Sequence, residues 1–343
     1  MLEGHGDDAW KYNTSIKADF SSNVWHGPLN AGLQAFLQER IATITHYPEV
    51  DARTLQAEAA AAYAVGTDEV LVTNGATEAI YLVAQAFLGG SATILIPAFA
   101  EYEDACRLFG LQVRLQDWET VKEDDLFSTD LVFLCNPNNP TGLAFPLARL
   151  RELLSGNPQS LFVIDESYIE FTHATTSLLP FLADHPNALV LRSLTKSCRI
   201  PGLRIGFALG QSARTSLLRR LKMPWSVNQL ALEAASYIFR HPEQFVLPLS
   251  QLLDVATTWR KELQRATGWR LHDTDTHYFL IETPASFTAA KLKLHLVSNY
   301  GLLIRDAANF RGLTRHHFRV ACQASPQNQL LTETLSQCSQ TGL

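Results

Sequence analysis

Ser193-Leu194-Thr195-Lys196, followed by Pro201, Gly202 and Arg204, is the stretch from which the fold can be read. An amine becomes a useful nucleophile toward a carbonyl only when its surroundings lower its pKa and hold it still. A hydroxyl lies three residues before Lys196 and a guanidinium eight residues after it, which suits a phosphate anchored beside a carbonyl. A lysine in a loop rich in Ser and Thr is ordinarily a solvated surface residue. Lys196 alone therefore leaves both interpretations open.

Two segments upstream decide between them. They are Cys135-Asn136-Pro137-Asn138-Asn139-Pro140-Thr141-Gly142 and Val163-Ile164-Asp165-Glu166-Ser167-Tyr168. Taken in order with the lysine segment, they resemble the pyridoxal-phosphate enzymes of fold type I, the aspartate-aminotransferase superfamily. The resemblance implies an α/β fold, with a three-layer α/β/α large domain around a mainly parallel sheet and a small α+β domain. It also implies the cofactor pyridoxal 5′-phosphate, bound through Lys196.

Composition and charge narrow the class of protein. The chain has 343 residues, of which 46% are hydrophobic and 18% charged, and its formal net charge is −6. This is an ordinary globular balance, and it makes binding to nucleic acid or to an anionic membrane unexpected. The five cysteines are scattered without metal-ligand spacing, so we expect reduced thiols in a soluble cytoplasmic protein and no metal site.

The order of the segments predicts the domains. From about residue 54, helical segments alternate with short apolar runs that look buried on both faces, such as 131–134 and 161–164. Such runs, separated by helices, indicate a mainly parallel sheet between helical layers. After about residue 240 the pattern becomes that of a smaller α+β unit. We predict an amino-terminal arm over 1–44, a large cofactor-binding domain over 45–240 and a small domain over 241–343.

Each demand of pyridoxal phosphate can be matched to a residue. Its pyridine nitrogen needs a carboxylate to stay protonated, and Asp165 at the end of an apolar run fits that role. Asn139 and Tyr168 match the superfamily's donors to the phenolate oxygen. In open α/β sheets, ligands lie beyond the carboxyl ends of strands, where these residues and Lys196 are expected. The resemblance thus gives Lys196, Asp165, Tyr168 and Asn139 as catalytic residues.

The cofactor phosphate needs an anion site. Gly75, Ala76 and Thr77 lie between a predicted strand and a predicted helix, so backbone N–H groups and the helix dipole should face the phosphate. Ser193 and Arg204 would add side-chain donors, and the planar fork of Arg suits phosphate. An ordinary strand-to-helix turn is the competing interpretation of Gly75.

Aromatic residues complete the expected cofactor site. Phe99, in Pro97-Ala98-Phe99, aligns with the family's ring that stacks on the pyridine, and Tyr102 is the second candidate; plain core packing is the alternative. Tyr47 matches a tyrosine that in related enzymes reaches the cofactor phosphate of the partner subunit. The resemblance therefore implies a homodimer.

The cofactor does not choose the reaction, because the bond held perpendicular to the ring decides it. Further motifs, among them 96–102, 303–310 and 318–321, are similar to those of the L-threonine-O-3-phosphate decarboxylases of the cobalamin pathway. That resemblance implies decarboxylation of L-threonine O-3-phosphate to (R)-1-amino-2-propanol O-2-phosphate. It places His5, Asn23, Arg305 and Arg319 at the phosphate and carboxylate of the substrate.

Charge supports that assignment, since a substrate with two anionic groups needs more than one guanidinium. Arg319 lies in an apolar strand, where an unpaired charge would be costly, and this favours a ligand role. A histidinol-phosphate-type aminotransferase that uses 2-oxoglutarate is the nearest alternative, because it shares the core motifs and binds a phosphorylated substrate. A non-catalytic cofactor-binding module is more distant, and 343 residues leave it no room for an added DNA-binding domain.

Overall fold

A computed structural model describes residues 6–341 of the chain. Its helices are α1 (Ala31–Arg40), α2 (Arg53–Tyr63), α3 (Gly75–Ala86), α4 (Ala100–Leu108), α5 (Leu147–Gly156), α6 (Ser212–Leu221), α7 (Gln229–Arg240), α8 (Leu249–Thr267), α9 (Ala289–Tyr300) and α10 (Ser325–Thr341). Its strands are β1 (Ala18–Asp19), β2 (Val70–Thr73), β3 (Ser91–Ile96), β4 (Gln112–Asp117), β5 (Leu131–Cys135), β6 (Leu161–Asp165), β7 (Ala188–Ser193), β8 (Gly206–Gly210), β9 (Arg270–Leu271), β10 (Tyr278–Glu282), β11 (Leu302–Leu303), β12 (Arg305–Asp306) and β13 (His317–Ala321).

The larger sheet has seven strands in the order β2-β8-β7-β6-β5-β3-β4. The pairs from β7 to β4 are all parallel, whereas β8 runs antiparallel to both of its neighbours. The predicted mainly parallel sheet is confirmed. The reversed direction of β8 was not predicted, because a run buried on both faces carries no mark of strand direction.

Side chains that alternate in direction along the strands contribute to a hydrophobic core on each face of this sheet. Val132 and Leu134 on β5 belong to a core that includes side chains of α1, α2, α5 and α7, whereas Leu131 and Phe133 belong to one that includes side chains of α3, α4 and α6. Successive side chains of a strand point to opposite faces, so one short strand contributes to both cores. The result is the expected order of helices, sheet and helices.

A second sheet has four antiparallel strands in the order β12-β13-β10-β9. Its apolar face packs against α8, α9 and α10 in a third core that contains Trp259 and Phe279. Strand β1 of the amino-terminal region pairs with β11 in a separate two-stranded sheet. The amine of Lys293 on α9 lies 2.7 and 2.8 Å from the carboxylate oxygens of Asp8, and both side chains are nearly buried. These contacts hold the described part of the amino-terminal region against α9 and β11.

The predicted elements that the pattern marked most strongly are present. The apolar runs at 131–134 and 161–164 lie within β5 and β6. Helix α1 was missed inside the predicted arm, where its apolar periodicity is weak. Strand β4 was missed because most of its residues are exposed. The division at residues 44 and 240 stays a prediction.

Two further features concern membrane-spanning helices and disulfides. Among the helices within residues 6–341, none combines the length and apolar character that crossing a bilayer requires. All five cysteines are buried thiols without a disulfide.

Candidate active site

Two adjoining cavities lie beyond the carboxyl ends of β5, β6 and β7. The larger measures about 670 Å³ and the smaller about 90 Å³. Parallel strands end at a common edge, so the turns that follow them deliver their side chains to one place. The two cavities share six lining residues: Thr77, Phe99, Asn139, Tyr168, Lys196 and Arg204.

Lys196 follows the end of β7 and lines both cavities. Burial of its amine, together with the nearby Arg204 and Arg319, lowers the pKa of Lys196 to about 8. An amine with this pKa is partly neutral near neutral pH, which is the form that attacks a carbonyl carbon. The geometry thus gives Lys196 the nucleophilic character that its sequence context suggested.

Asp165 ends β6 and lines the smaller cavity. Its Oδ1 accepts hydrogen bonds from the backbone N–H (3.0 Å) and the hydroxyl (2.6 Å) of Ser167. Its Oδ2 accepts from the hydroxyl of Tyr102 at 2.6 Å. These three donors hold the carboxylate in one orientation at the wall of the cavity.

The start of α3 is suited to an anion, and its Thr77 lines both cavities together with Lys196. The first backbone N–H groups of a helix have no partner inside it and carry the positive end of its dipole. Gly75 has a φ of +73°, and a Cβ at this position would lie 2.5 Å from Nη2 of Arg204. A Cβ on Gly206 of β8 would lie 2.5 Å from the backbone nitrogen of Ala76. Both glycines are therefore required for Arg204 and the helix start to come together.

The remaining residues of the predicted cofactor site are distributed around this centre. Ser193 is buried, and its hydroxyl lies 2.7 Å from that of Thr195. Phe99 lines both cavities, whereas the ring of Tyr102 is stacked on Phe133 with 5.2 Å between centroids. Tyr102 lines only the smaller cavity and packs against the core, whereas Phe99 reaches both cavities.

Two arginines of the second sheet project into the larger cavity. Arg305 on β12 and Arg319 on β13 are paired across the sheet and both are buried. Arg319 donates to Oδ1 of Asn139 and, at 2.6 Å, to the carbonyl of Ser21. Arg305 donates to the carbonyl of Asp306 and, at 2.8 Å, to Oδ1 of Asn309.

Neither Arg305 nor Arg319 forms a salt bridge with a carboxylate of residues 6–341. Burial and the neighbouring Arg319 lower the pKa of Arg305, and burial lowers that of Arg319. Buried cations are expensive without a counter-charge, so this part of the cavity is suited to anionic groups.

The other predicted substrate and partner residues have different positions. Asn23 lines the larger cavity, and neither atom of its buried amide has a hydrogen-bond partner within residues 6–341. His5 lies outside the described residues. Tyr47 is 86% exposed, is absent from the lining of both cavities and contacts the ring of Trp225.

Some lining residues were not predicted. The hydroxyl of Tyr81 donates to Oε2 of Glu101 at 2.6 Å, and both residues line the larger cavity. Tyr81 lies one helical turn beyond Thr77 on α3, so the i, i+4 spacing could have found it. The hydrogen bond from Tyr102 to Asp165 joins two distant segments, and no local pattern marks it.

The set fits pyridoxal 5′-phosphate. A reactive amine suits the aldehyde, a fixed carboxylate suits the pyridine nitrogen, and a helix start with a guanidinium suits the phosphate. A sequence model of the family described as aminotransferase class I and II matches residues 15–337. The chain belongs to this family, whose enzymes depend on pyridoxal phosphate. The expected fold type I and its cofactor are thereby confirmed.

The chain is similar over most of its length to individual enzymes of this family. The chain is 30% identical to the threonine-phosphate decarboxylase of Salmonella typhimurium, over 92% of this chain and 90% of that one. The crystal structure of L-threonine-O-3-phosphate decarboxylase from Porphyromonas gingivalis superposes with a TM-score of 0.91 at 37% identity, covering 94% of this chain and 99% of the other. The histidinol-phosphate aminotransferase of Methanothermobacter thermautotrophicus is also 30% identical, over 92% and 86% of the two chains.

Replacing Tyr102 with Phe tests the support of Asp165. The change removes the hydroxyl but keeps the ring stacked on Phe133, and a lost hydrogen bond to a charged group costs about 1.5–3 kcal/mol. Tyr278→Phe is a matched control, because that buried hydroxyl donates at 3.0 Å to the neutral carbonyl of Asn138. Urea unfolding of the apoprotein should show the larger loss of unfolding free energy for Tyr102→Phe. Equal losses would contradict a special role for the carboxylate contact.

The lowered pKa of Lys196 predicts a pH profile. The rate at which the apoprotein takes up pyridoxal phosphate covalently, measured by borohydride trapping and intact mass, should rise through a midpoint near pH 8. An unperturbed lysine would give a midpoint at about 10.4. Since Arg319 contributes to the lowering, Arg319→Gln should move the midpoint to higher pH. A midpoint near 10 in the unaltered protein would show that the amine is not perturbed.

Proposed function

We propose that this protein decarboxylates L-threonine O-3-phosphate to (R)-1-amino-2-propanol O-2-phosphate, a linker precursor for cobalamin. One observation carries the proposal: Arg305 and Arg319, without a carboxylate partner in residues 6–341, line the same cavity as Lys196. Two guanidinium groups match a substrate that carries both a carboxylate and a phosphate. The similarity to two threonine-phosphate decarboxylases supports this choice of substrate.

The residues of the seven-stranded sheet would hold the cofactor. Lys196 would bind its aldehyde, and the Asp165 carboxylate would keep the pyridine nitrogen protonated. The phosphate would lie at the start of α3, where it would be contacted by Gly75, Ala76, Thr77, Ser193 and Arg204. Asn139 and Tyr168 would contact the phenolate oxygen, and Phe99 would contact the face of the ring. When bound, pyridoxal phosphate supplies an electron sink for the bond that is broken.

The residues of the second sheet and the amino-terminal region would orient the substrate. Arg305 and Arg319 would fix its two anions between them, and this sets which bond at Cα lies perpendicular to the ring. With the Cα–carboxylate bond in that position, carbon dioxide leaves. Lys196 Nζ, or a water beside it, would then return a proton to Cα, which completes a decarboxylation rather than an amino transfer.

Asn23 would take part in this orientation. Its amide is buried with both polar atoms unpaired inside residues 6–341, an arrangement that costs free energy unless a ligand or water satisfies them. The amide N–H group can donate to an oxygen of the substrate phosphate or carboxylate. We also propose that His5 contributes to the same anion site.

The active unit would be a homodimer. Large apolar side chains are exposed around Tyr47, and the N–H of Trp225 donates to the carbonyl of Val50 at 3.3 Å, joining the two segments that carry them. This exposed patch consists of Ile41, Ile44, Tyr47, Val50, Met223 and Trp225. An apolar patch of this kind on a soluble enzyme is typical of a protein interface. Across such an interface Tyr47 would reach the cofactor phosphate of the partner subunit.

The reaction is tested with purified holoenzyme and L-threonine O-3-phosphate. We expect carbon dioxide and an equal amount of 1-amino-2-propanol O-phosphate without added 2-oxoglutarate, because the substrate loses its carboxylate and keeps its amine. Lys196→Ala should abolish the activity. Amino transfer from histidinol phosphate to 2-oxoglutarate, with no release of carbon dioxide from phosphothreonine, would favour the aminotransferase and refute the proposal.

The contribution of Tyr47 in trans is tested with hybrid dimers. We expect Tyr47→Ala to weaken cofactor binding and Lys196→Ala to be inactive. In a hybrid of the two variants, one of the two sites combines an intact Lys196 with the Tyr47 of the other subunit. Mixing the variants under conditions that exchange subunits should therefore restore activity above that of either alone. If Tyr47 served its own subunit, or the protein were a monomer by light scattering, mixing would restore nothing.

A further inference from the structure

A group of metal-binding side chains lies on the second sheet, outside the cavities described above. His272 directly follows β9, Glu282 ends β10 and His317 begins β13. Glu282 is the cross-strand partner of His317, and the backbone N–H of His272 donates to the carbonyl of Leu280 at 3.0 Å. Leu280 and Glu282 are two residues apart on one strand and therefore share a face of the sheet. The three side chains accordingly project from one face.

The donor atoms of these side chains converge. One nitrogen of each imidazole and one carboxylate oxygen lie within 4.8 Å of one another. Nε2 of His272 is buried without a hydrogen-bond partner in the described part of the chain. Thr314 contacts Nδ1 of His317 through its N–H (3.2 Å) and its hydroxyl (3.0 Å), which fixes that ring and leaves Nε2 available.

The charge state of the group favours a cation. Glu282 supplies the negative charge. The guanidinium of Arg270 is largely exposed, and its Nη1 lies 3.4 Å from the Glu282 carboxylate. Such a contact is weak and a bound cation could displace it.

We propose that His272, Glu282 and His317 form a binding site for a divalent transition-metal cation of the Zn²⁺ class. Two imidazoles and one carboxylate, with water in the fourth position, are a common ligand set for this ion. Each donor atom would have to move by only about 1 Å to reach the roughly 2.0–2.2 Å that Zn²⁺ requires. The site goes beyond the proposed function and does not depend on it.

Sequence spacing could not have indicated this site. The ligands are separated by ten and thirty-five residues, and only the pairing of β9, β10 and β13 brings them together. The expectation of a chain without a metal site rested on cysteine spacing, which does not bear on these residues. Because the ligands come from three strands, a bound cation would cross-link the sheet that also carries Arg319.

The test is titration of metal-free holoenzyme with Zn²⁺ by calorimetry in phosphate-free buffer. We expect one Zn²⁺ per chain in the unaltered protein and a loss of affinity of more than about 10-fold in both His272→Ala and Glu282→Gln. Loss of even an outer partner of a metal ligand costs about this factor. His173→Ala is the matched control, because His173 is an exposed histidine whose ring contacts Ser250, and it should bind Zn²⁺ like the unaltered protein.

A fourth variant has the opposite expected sign. Arg270→Gln removes the cation that competes for Glu282 and should tighten Zn²⁺ binding, whereas a purely structural ion pair would predict only a lower thermal midpoint. Far-ultraviolet circular dichroism and cofactor absorbance establish that each variant is folded. The absence of stoichiometric Zn²⁺ binding, or unchanged affinity in either His272→Ala or Glu282→Gln, overturns the proposal.

Discussion

The register of three parallel strands is the constraint on which the site depends. Cys135 at the end of β5 is aligned with Asp165 at the end of β6, and Asp165 is aligned with Leu191 near the end of β7. Asn139 and Lys196 each follow within a few residues of these aligned positions. A shift of one residue in the pairing would turn the side chains of a strand to the opposite face, so the two hydrophobic cores and the site share one register.

Electrostatics within that frame explains why the cavity suits anions. Lys196, Arg204, Arg305 and Arg319 line the larger cavity with two acidic residues, Asp7 and Glu101. Asp165 lines the smaller cavity, where Tyr102 and Ser167 hold its carboxylate. Burial, together with repulsion from Arg204 and Arg319, lowers the pKa of Lys196, which provides a neutral amine without a dedicated base. The same feature therefore favours binding of phosphate and carboxylate groups and activates the nucleophile.

Sequence reasoning reached those parts of the site that local motifs encode. Lys196, Asp165 and Asn139 each lie next to a buried strand, and buried strands are recognisable from short apolar runs. Contacts between distant segments were missed, namely Tyr102 with Asp165 and His272 with His317. They depend on side-chain packing that no spacing reveals. The predicted role of Tyr47 is of a different kind, because the cofactor phosphate that it would contact belongs to the partner subunit.

The division of labour between the two sheets explains how one family can carry out several reactions. The seven-stranded sheet supplies the residues suited to the cofactor, whereas the second sheet and the amino-terminal region supply Arg305, Arg319 and Asn23. The ion pair of Asp8 with Lys293 joins the amino-terminal region to α9, which packs against the second sheet, so these parts form one supported unit. If Arg305, Arg319 and Asn23 hold the substrate as proposed, a change in this unit would alter which bond of the substrate faces the ring and would leave the cofactor residues in place. On that assignment, the choice between decarboxylation and amino transfer lies in the second sheet and in the amino-terminal region that packs against it.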